Sequence, residues 1–387
     1  MNLNDYFDPI DIKGFSASII QPKHQLLSNV TIHQKDNKIQ NIESFKIAII
    51  GVPDFLENPE NVNSFAIEKI REYLYSLASF NKPSGIIDLG NLKPGKTIND
   101  QKVALRDVLT ELITLDIIPV VIGKSENILY TTYSCFQLLN QTINILELNN
   151  TININENREQ NYKSDLWKII VEENESLFSY TNIGYQTHLV SNNIINYLNE
   201  QLHFCYRLGY IRAHLKETEP IFRDADFIAF NISAVRQSDA FGQTAPSPNG
   251  LFGEDICQMA YYAGISNKIK VFTVLDYNIT HDINFQTAHL TAQIIWYFIE
   301  GIISSNKEYP FDNDSHFTKY VVNLDNLNNE LVFYKSEKTN RWWIEVPSLN
   351  LNKHKNALIS CTFQDYQLTG NGDIPERWLK TYQKINS

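Results

Sequence analysis

The sequence predicts an α/β domain on a parallel sheet covered by helices on both faces, followed by a small C-terminal extension of a β-hairpin and a helix. Three observations carry this. From Phe45 onward, short continuous apolar runs rich in Ile and Val alternate with longer amphipathic stretches. Strands buried on both faces read as unbroken apolar runs, and parallel neighbours need a crossover between them, usually a helix. After Tyr309 that pattern stops and aromatic, strand-forming runs take over. Finally, 387 residues with 43% hydrophobic side chains allow one large domain plus an appendage, or two domains, and exclude a disordered chain.

Residues 1–44 read as an N-terminal extension and 45–308 as the main domain. Its first strand spans 46–50 and stops at Gly51-Val52-Pro53. A helix over 63–80 places Phe65, Ile67, Ile70, Leu74 and Leu77 on one side. Strand 85–89, helix 99–115, strand 117–122, helix 128–139 and strand 142–148 follow. Next come strand 177–183, helix 191–198 and strands 204–208 and 227–230. Helix 253–263, strand 270–275 and helix 285–302 close the domain. Residues 153–165 are polar and read as a surface loop. In the extension, 309–387, strands 330–334 and 342–346 form a hairpin, and Pro375 sits near the first turn of a last helix. No internal repeat is visible.

A net charge of -11, with 33 Lys+Arg against 44 Asp+Glu and no basic stripe, argues against nucleic acid as a partner. The four cysteines, Cys135, Cys205, Cys257 and Cys361, are scattered with no CxxC pair, as buried thiols of a cytoplasmic protein are. The acidic, polar start at Met1-Asn2-Leu3-Asn4-Asp5 is no secretory signal. The apolar run 294–299, interrupted at Glu300-Gly301, is too short to span a bilayer. The expectation is a cytoplasmic protein without a direct membrane span.

Ligands of open parallel sheets sit at the carboxyl ends of the strands. Three strand ends stand out: Gly123-Lys124-Ser125-Glu126-Asn127, Leu148-Asn149-Asn150-Thr151-Ile152-Asn153, and Asn231-Ile232-Ser233-Ala234-Val235-Arg236. They are joined by Ala245-Pro246-Ser247-Pro248-Asn249-Gly250-Leu251 and by Asp276-Tyr277-Asn278-Ile279, ahead of Thr287-Ala288. The order and flanks of these loops, over residues 45–305, resemble the ureohydrolase family of arginase, agmatinase and formimidoylglutamase. The whole chain looks most like a formimidoylglutamase-like branch found in Bacteroidota. The resemblance implies a three-layer α/β/α arginase-like fold and, in the active enzymes, hydrolysis of guanidino or formimino C–N bonds by a hydroxide between two manganese ions.

That family carries GGDHS- or GGGHE-like, D-A-H-x-D and S-x-D-x-D loops. Here the resemblance puts Glu126 or Ser125, depending on register, on the first histidine. It puts Asn149, Thr151 and Asn153 on the Asp, His and Asp of the second loop, and Asn231 and Ser233 on the two aspartates of the third. Two divalent cations about 3.5–4 Å apart need converging carboxylates, and hard cations prefer carboxylate and imidazole ligands. Neutral amides and hydroxyls supply no charge, so no metal cofactor and no catalytic residue is expected.

The candidate ligand-pocket residues are Asp276, Arg236, Asp239 and Asn249. Asp276 occupies a position where family enzymes clamp the substrate nitrogen, and an acid at a strand end also serves as a helix cap or ion-pair partner. Arg236 is read either as filling the former cation volume, paired with Glu126 or Asp239, or as a solvated loop residue. His281-Asp282 reads as structural and His289 as a packed helix residue. Ser125 lacks the GxSxG elbow of a hydrolase nucleophile. Trp342, Trp343 and Trp378 are a candidate partner surface, against packing on the main domain.

The function expected on this resemblance is a pseudoenzyme: a binding or structural subunit with protein partners or a homo-oligomer. A family-level association would place it on the cytoplasmic side of Bacteroidota gliding or type IX secretion machinery. The alternatives are an active formimidoylglutamase or amidinohydrolase with a rebuilt manganese site, using carboxylates such as Asp239 and Asp282 beside Glu126, and a sensor of a small amino-acid-like ligand.

Overall fold

Every residue of Ile47-Ala48-Ile49-Ile50 is fully buried, as a strand covered on both faces must be. The computed structural model describes residues 1–15, 22–53, 62–82, 85–124, 127–157, 162–310, 316–324, 329–349 and 356–387. In chain order the first half contains β1 (Phe7–Asp8), β2 (Val30–Ile32), β3 (Ile47–Val52), α1 (Val62–Ser76), β4 (Ile86–Leu92), α2 (Ile98–Thr114), β5 (Ile118–Gly123), α3 (Asn127–Leu138) and β6 (Ile143–Leu148). A two-residue hairpin, β7 (Glu156–Asn157) with β8 (Tyr162–Lys163), and the single turn α4 (Asp165–Trp167) interrupt the polar 153–165 segment. Then come β9 (Leu177–Tyr185), α5 (Asn192–Glu200), β10 (Phe204–Arg207), α6 (Leu208–Ala213), α7 (Glu219–Arg223), β11 (Phe227–Asn231), α8 (Gly253–Gly264), β12 (Val271–Leu275) and α9 (Gln286–Ser304).

The main sheet runs β1-β4-β3-β5-β12-β11-β6-β9-β10, with β2 also on β4. Every pairing is parallel except that of β1 with β4. Residues 1–44 thus add two short strands to the sheet edge, where Phe7 is fully buried. Alternation along β11 shows both faces covered. Ile228 and Phe230 enter the core shared with Ile70 of α1, Met259 of α8 and Phe298 of α9, while Phe227 and Ala229 enter the core shared with Leu109 of α2 and Phe136 of α3. The result is three layers, α/β/α.

Glu300-Gly301 does not end α9, which continues to Ser304. A Cβ at Gly301 would lie 2.6 Å from the Tyr261 carbonyl oxygen, so glycine lets α8 and α9 approach closely. Arg71 of α1 reaches Asp88 of β4 at 2.9 Å, both fully buried. Tyr75 adds its hydroxyl to the same carboxylate at 2.5 Å. A buried charge pair costs least when its remaining hydrogen-bond capacity is filled, as here.

The extension is a four-stranded antiparallel sheet, β13 (Phe317–Leu324), β14 (Asn329–Ser336), β15 (Trp342–Val346) and β16 (Ala357–Cys361), with α10 (Phe363–Gly370) and α11 (Glu376–Asn386). The sequence-derived hairpin is its middle pair, with Phe333 opposite Ile344. The three tryptophans read as a candidate partner surface are internal. Trp342, Trp343 and Trp378 are buried; Trp342 stacks on Tyr366, and the Trp378 indole donates to the Glu345 carbonyl at 2.8 Å. Trp343 lies under the Arg223 guanidinium, 4.4 Å away, and so faces the main domain. Large rings seek buried area and an indole N–H seeks a partner, and the small sheet supplies both.

Candidate functional site

Glu147 and Asn149 are two residues apart at the end of β6, so their side chains leave the same face of the sheet. On the neighbouring strand Ala229 pairs with Glu147, which brings Asn231, two residues on, alongside Asn149. The Asn149 and Asn231 amide groups both donate to Glu147 Oε1, at 2.9 and 2.8 Å. The Tyr180 hydroxyl of β9 donates to Oε2 at 2.7 Å. Glu147 is buried, so these three donors replace lost water. Burial, then the charge of Glu147, push the Tyr180 phenol well above its ordinary pKa, which keeps it a donor.

The network continues outward. Asn149 Oδ1 accepts from the Ser233 hydroxyl at 3.0 Å and from the Thr151 backbone N–H at 3.3 Å. Asn182, fully buried on β9, donates to the Thr151 carbonyl at 3.4 Å. Asn153 accepts from the Asn155 side chain at 2.6 Å. Thus four of the loop positions read as former metal ligands, Asn149, Thr151, Asn231 and Ser233, come together around one buried carboxylate.

These residues line a cavity of about 540 Å³ at the carboxyl ends of adjacent strands β5, β12, β11 and β6. Its further walls are Lys124, Asp165, His188, the 244–248 loop and Asp276. Asp276 directly follows β12 with φ at 70°, in the left-handed region that costs a residue with a Cβ and persists where the surroundings impose it. Ser125 and Glu126 lie outside the described residues.

The other candidates are placed elsewhere. Asn249 is exposed just beyond the 244–248 wall, its carbonyl accepting from Gln186 at 2.8 Å. Arg236 and Asp239 line a separate groove between α8 and α9. Arg236 does not fill the former cation volume: it pairs with Asp239 at 2.8 Å and stacks on Phe252 at 4.1 Å. The second Asp239 oxygen accepts from the Gly253 backbone N–H at 3.0 Å, at the start of α8. Burial works against ionisation of Asp239, but the bonds from Arg236 and Gly253 win and hold its pKa below the usual carboxylate value. Asp282 accepts from the Thr287 and Ala288 N–H groups at 2.9 and 3.0 Å, capping α9. His281 bonds the Gln243 carbonyl at 2.8 Å, and His289 stacks on Tyr73 at 4.8 Å.

The sequence reading passed over Glu147, Tyr180 and Asn182. A signal existed for the first: a lone carboxylate inside the apolar run Ile143–Leu148, in phase with Asn149. The donors that the described residues supply here, neutral amides and hydroxyls around Glu147, do not match two hard divalent cations. Among the described residues no three His, Cys, Asp or Glu side chains group as metal ligands. Both Glu147 oxygens already accept hydrogen bonds, and Asp165 Oδ2 accepts from the Tyr130 N–H at 3.0 Å.

No protein-family model matches the chain, and no curated protein matches it by sequence. Solved structures do. A Trypanosoma cruzi formiminoglutamase determined with manganese is 15% identical with a TM-score of 0.64, covering 73% of this chain and 99% of its own. Bacillus subtilis formimidoylglutamase is 17% identical with a TM-score of 0.59, over 71% and 95%. The agmatine ureohydrolase of Thermoplasma volcanium is 15% identical with a TM-score of 0.56, over 75% and 97%. The chain therefore has the arginase-like ureohydrolase fold.

Proposed function

We propose that this arginase-fold protein is a pseudoenzyme, a binding or structural subunit of a larger cytoplasmic assembly rather than a binuclear hydrolase. One observation carries the reading: the Asn149 and Asn231 amides both turn their N–H groups onto Glu147. Carboxylates there would present oxygens to a cation; these amides present donors to an acid and neutralise nothing. Without a bound metal, water keeps a pKa of about 15.7, far from the ~7 that makes hydroxide available at neutral pH. Asp239 and Asp282 cap helices and His281 and His289 have structural partners, so none of these four supplies that activation.

No helix among the described residues is long and apolar enough to cross a membrane, so membrane machinery would be engaged through a protein partner. The test is metal content by mass spectrometry on protein purified in manganese. Fewer than about 0.1 ions per chain is expected; near two per chain, with urea or formamide release, overturns the reading.

The placement of Asp276 favours a second reading, a sensor of a small amino-acid-like ligand. A carboxylate on the wall of a 540 Å³ cavity suits a cationic nitrogen. Arginine, agmatine or formiminoglutamate would then raise the melting temperature, and the rise would vanish in Asp276→Asn.

A further inference from the structure

A second cavity, of about 260 Å³, lies between the main sheet and the C-terminal extension. Its floor is one face of β6, β9 and β10, and its roof is β16 and α11. The walls are mostly apolar, including Leu146, Leu202, Phe204, Ile221, Leu358 and Ile385. It is slightly smaller than the ~300 Å³ at which pockets for drug-sized ligands begin, so its natural occupant is small.

Two polar groups in it are incompletely used. Ser179 on β9 is 7% exposed, and its hydroxyl has no hydrogen-bond partner, an arrangement that is costly for a buried polar group. Lys384 is the second. Arg377, Lys380 and Lys384 share the face of α11 that meets the main domain, with the spacing i, i+3, i+7. Arg377 pairs with Asp365 at 3.2 Å and Lys380 with Glu376 at 2.8 Å. Lys384 has only neutral acceptors, the Phe178 carbonyl at 2.6 Å and His203 Nδ1 at 3.3 Å. Burial, and then the charge of Lys380, lower its pKa to about 8. Lys384 bonds the carbonyl of Phe178, the residue before Ser179, and the cation and the orphan hydroxyl both line this cavity. The acid in the same wall, Asp224, is already used by Lys268 at 3.0 Å and by the Ser360 N–H at 2.7 Å.

We propose that this cavity binds a small monocarboxylic acid with an apolar body, its carboxylate paired with Lys384 and accepting from the Ser179 hydroxyl. The charge count sets the class: one uncompensated cation takes one anionic charge. The apolar walls set the body, a short hydrocarbon chain rather than a sugar or a phosphate ester.

Octanoate is the probe, titrated calorimetrically into the full chain, with octan-1-ol as the uncharged control. Saturable 1:1 binding of octanoate, about tenfold weaker in Lys384→Gln, is expected from loss of a charge-assisted bond. Ser179→Ala, which removes only a buried hydroxyl and leaves α11 docked, should weaken binding about threefold. A crystal grown with 6-bromohexanoate should show its anomalous peak between β9 and α11. Absence of saturable binding, equal affinity for octanol, unchanged affinity in both variants, or a bromine peak only in the carboxyl-end cavity would each overturn the proposal.

Discussion

The carboxyl-end cavity and the seam beneath the extension are both polar places inside an apolar protein, and they handle charge in opposite ways. At the carboxyl end a single acid, Glu147, is wrapped in neutral donors. At the seam, Arg223, Arg341 and Glu219 form a cluster with both arginines 3.1 Å from the same carboxylate. Nearby, Arg377 and Lys380 each hold an acid and Lys384 does not. The cavity network closes among strand ends of one sheet, through hydrogen bonds onto Glu147 and Asn149. The seam is joined by Arg341 to Glu219, by the Ser360 N–H to Asp224 and by Lys384 to the Phe178 carbonyl, so parting the halves breaks each of these contacts. Polar residues that preserve a loop shape and charges that hold two modules together are different uses of the same side chains.

Breaking the core of the extension should have the largest effect. Trp378→Ala removes a buried ring stacked on Tyr382 and its bond to Glu345, for a loss of about 3–5 kcal/mol in urea unfolding. A loss under about 1 kcal/mol would mean the extension is not held by its own core. Glu147→Ala strands the donors of Asn149, Asn231 and Tyr180 and should cost about 2–3 kcal/mol, while Glu147→Gln, which keeps an acceptor, should cost less. If the two substitutions are equally tolerated, the carboxylate is not what orders the loops.

Restoring charge sharpens the contrast. The double variant Asn149→Asp/Asn231→Asp places three carboxylates together and should unfold about 1–3 kcal/mol more easily without metal. Manganese should then raise its melting temperature and leave the parent protein unmoved; a rise in both would show the parent already binds the ion. Protonation probes the seam from the other side. Burial, followed by Lys384 and Lys380, lowers the His203 pKa from 6.5 to about 3. Between those values the unfolded chain binds the proton and the folded chain does not, so stability falls as pH drops from 6.5 toward 3. His203→Gln should flatten that slope; an unchanged slope would assign the acid sensitivity elsewhere. The smallest effect belongs to Asn249→Ala, within about 0.5 kcal/mol, because Asn249 is exposed beside the cavity wall.

Much of this was readable from the chain. The strand runs from Ile47 to Leu275 and the helices between them follow from apolar periodicity, because burial on two faces leaves a mark at every position of a strand. Placing Asn149, Thr151, Asn231 and Ser233 near one another follows from strand ends that face the same way. Neutrality at those positions is a matter of composition. Where Arg236 goes was not readable, since the loop alone permits a partner in the cavity as well as the i+3 contact with Asp239 that it makes. The tryptophans were not either: an aromatic run suits a partner surface and a core equally until the extra strands β13 and β16 close around it.

Local pattern in the chain accounts for the α/β architecture, for the loops that gather at one end of the sheet, and for the neutral side chains at Asn149, Thr151, Asn153, Asn231 and Ser233. The folded chain adds that Glu147 gathers hydrogen bonds from those loops, that residues 1–44 join the sheet edge, and that Lys384 lines a cavity whose acid, Asp224, is already held by Lys268. The reason is one of range. Periodicity records which face a residue shows, but a hydrogen bond between Asn231 and Glu147 joins groups 84 positions apart, and no local pattern encodes such a partner.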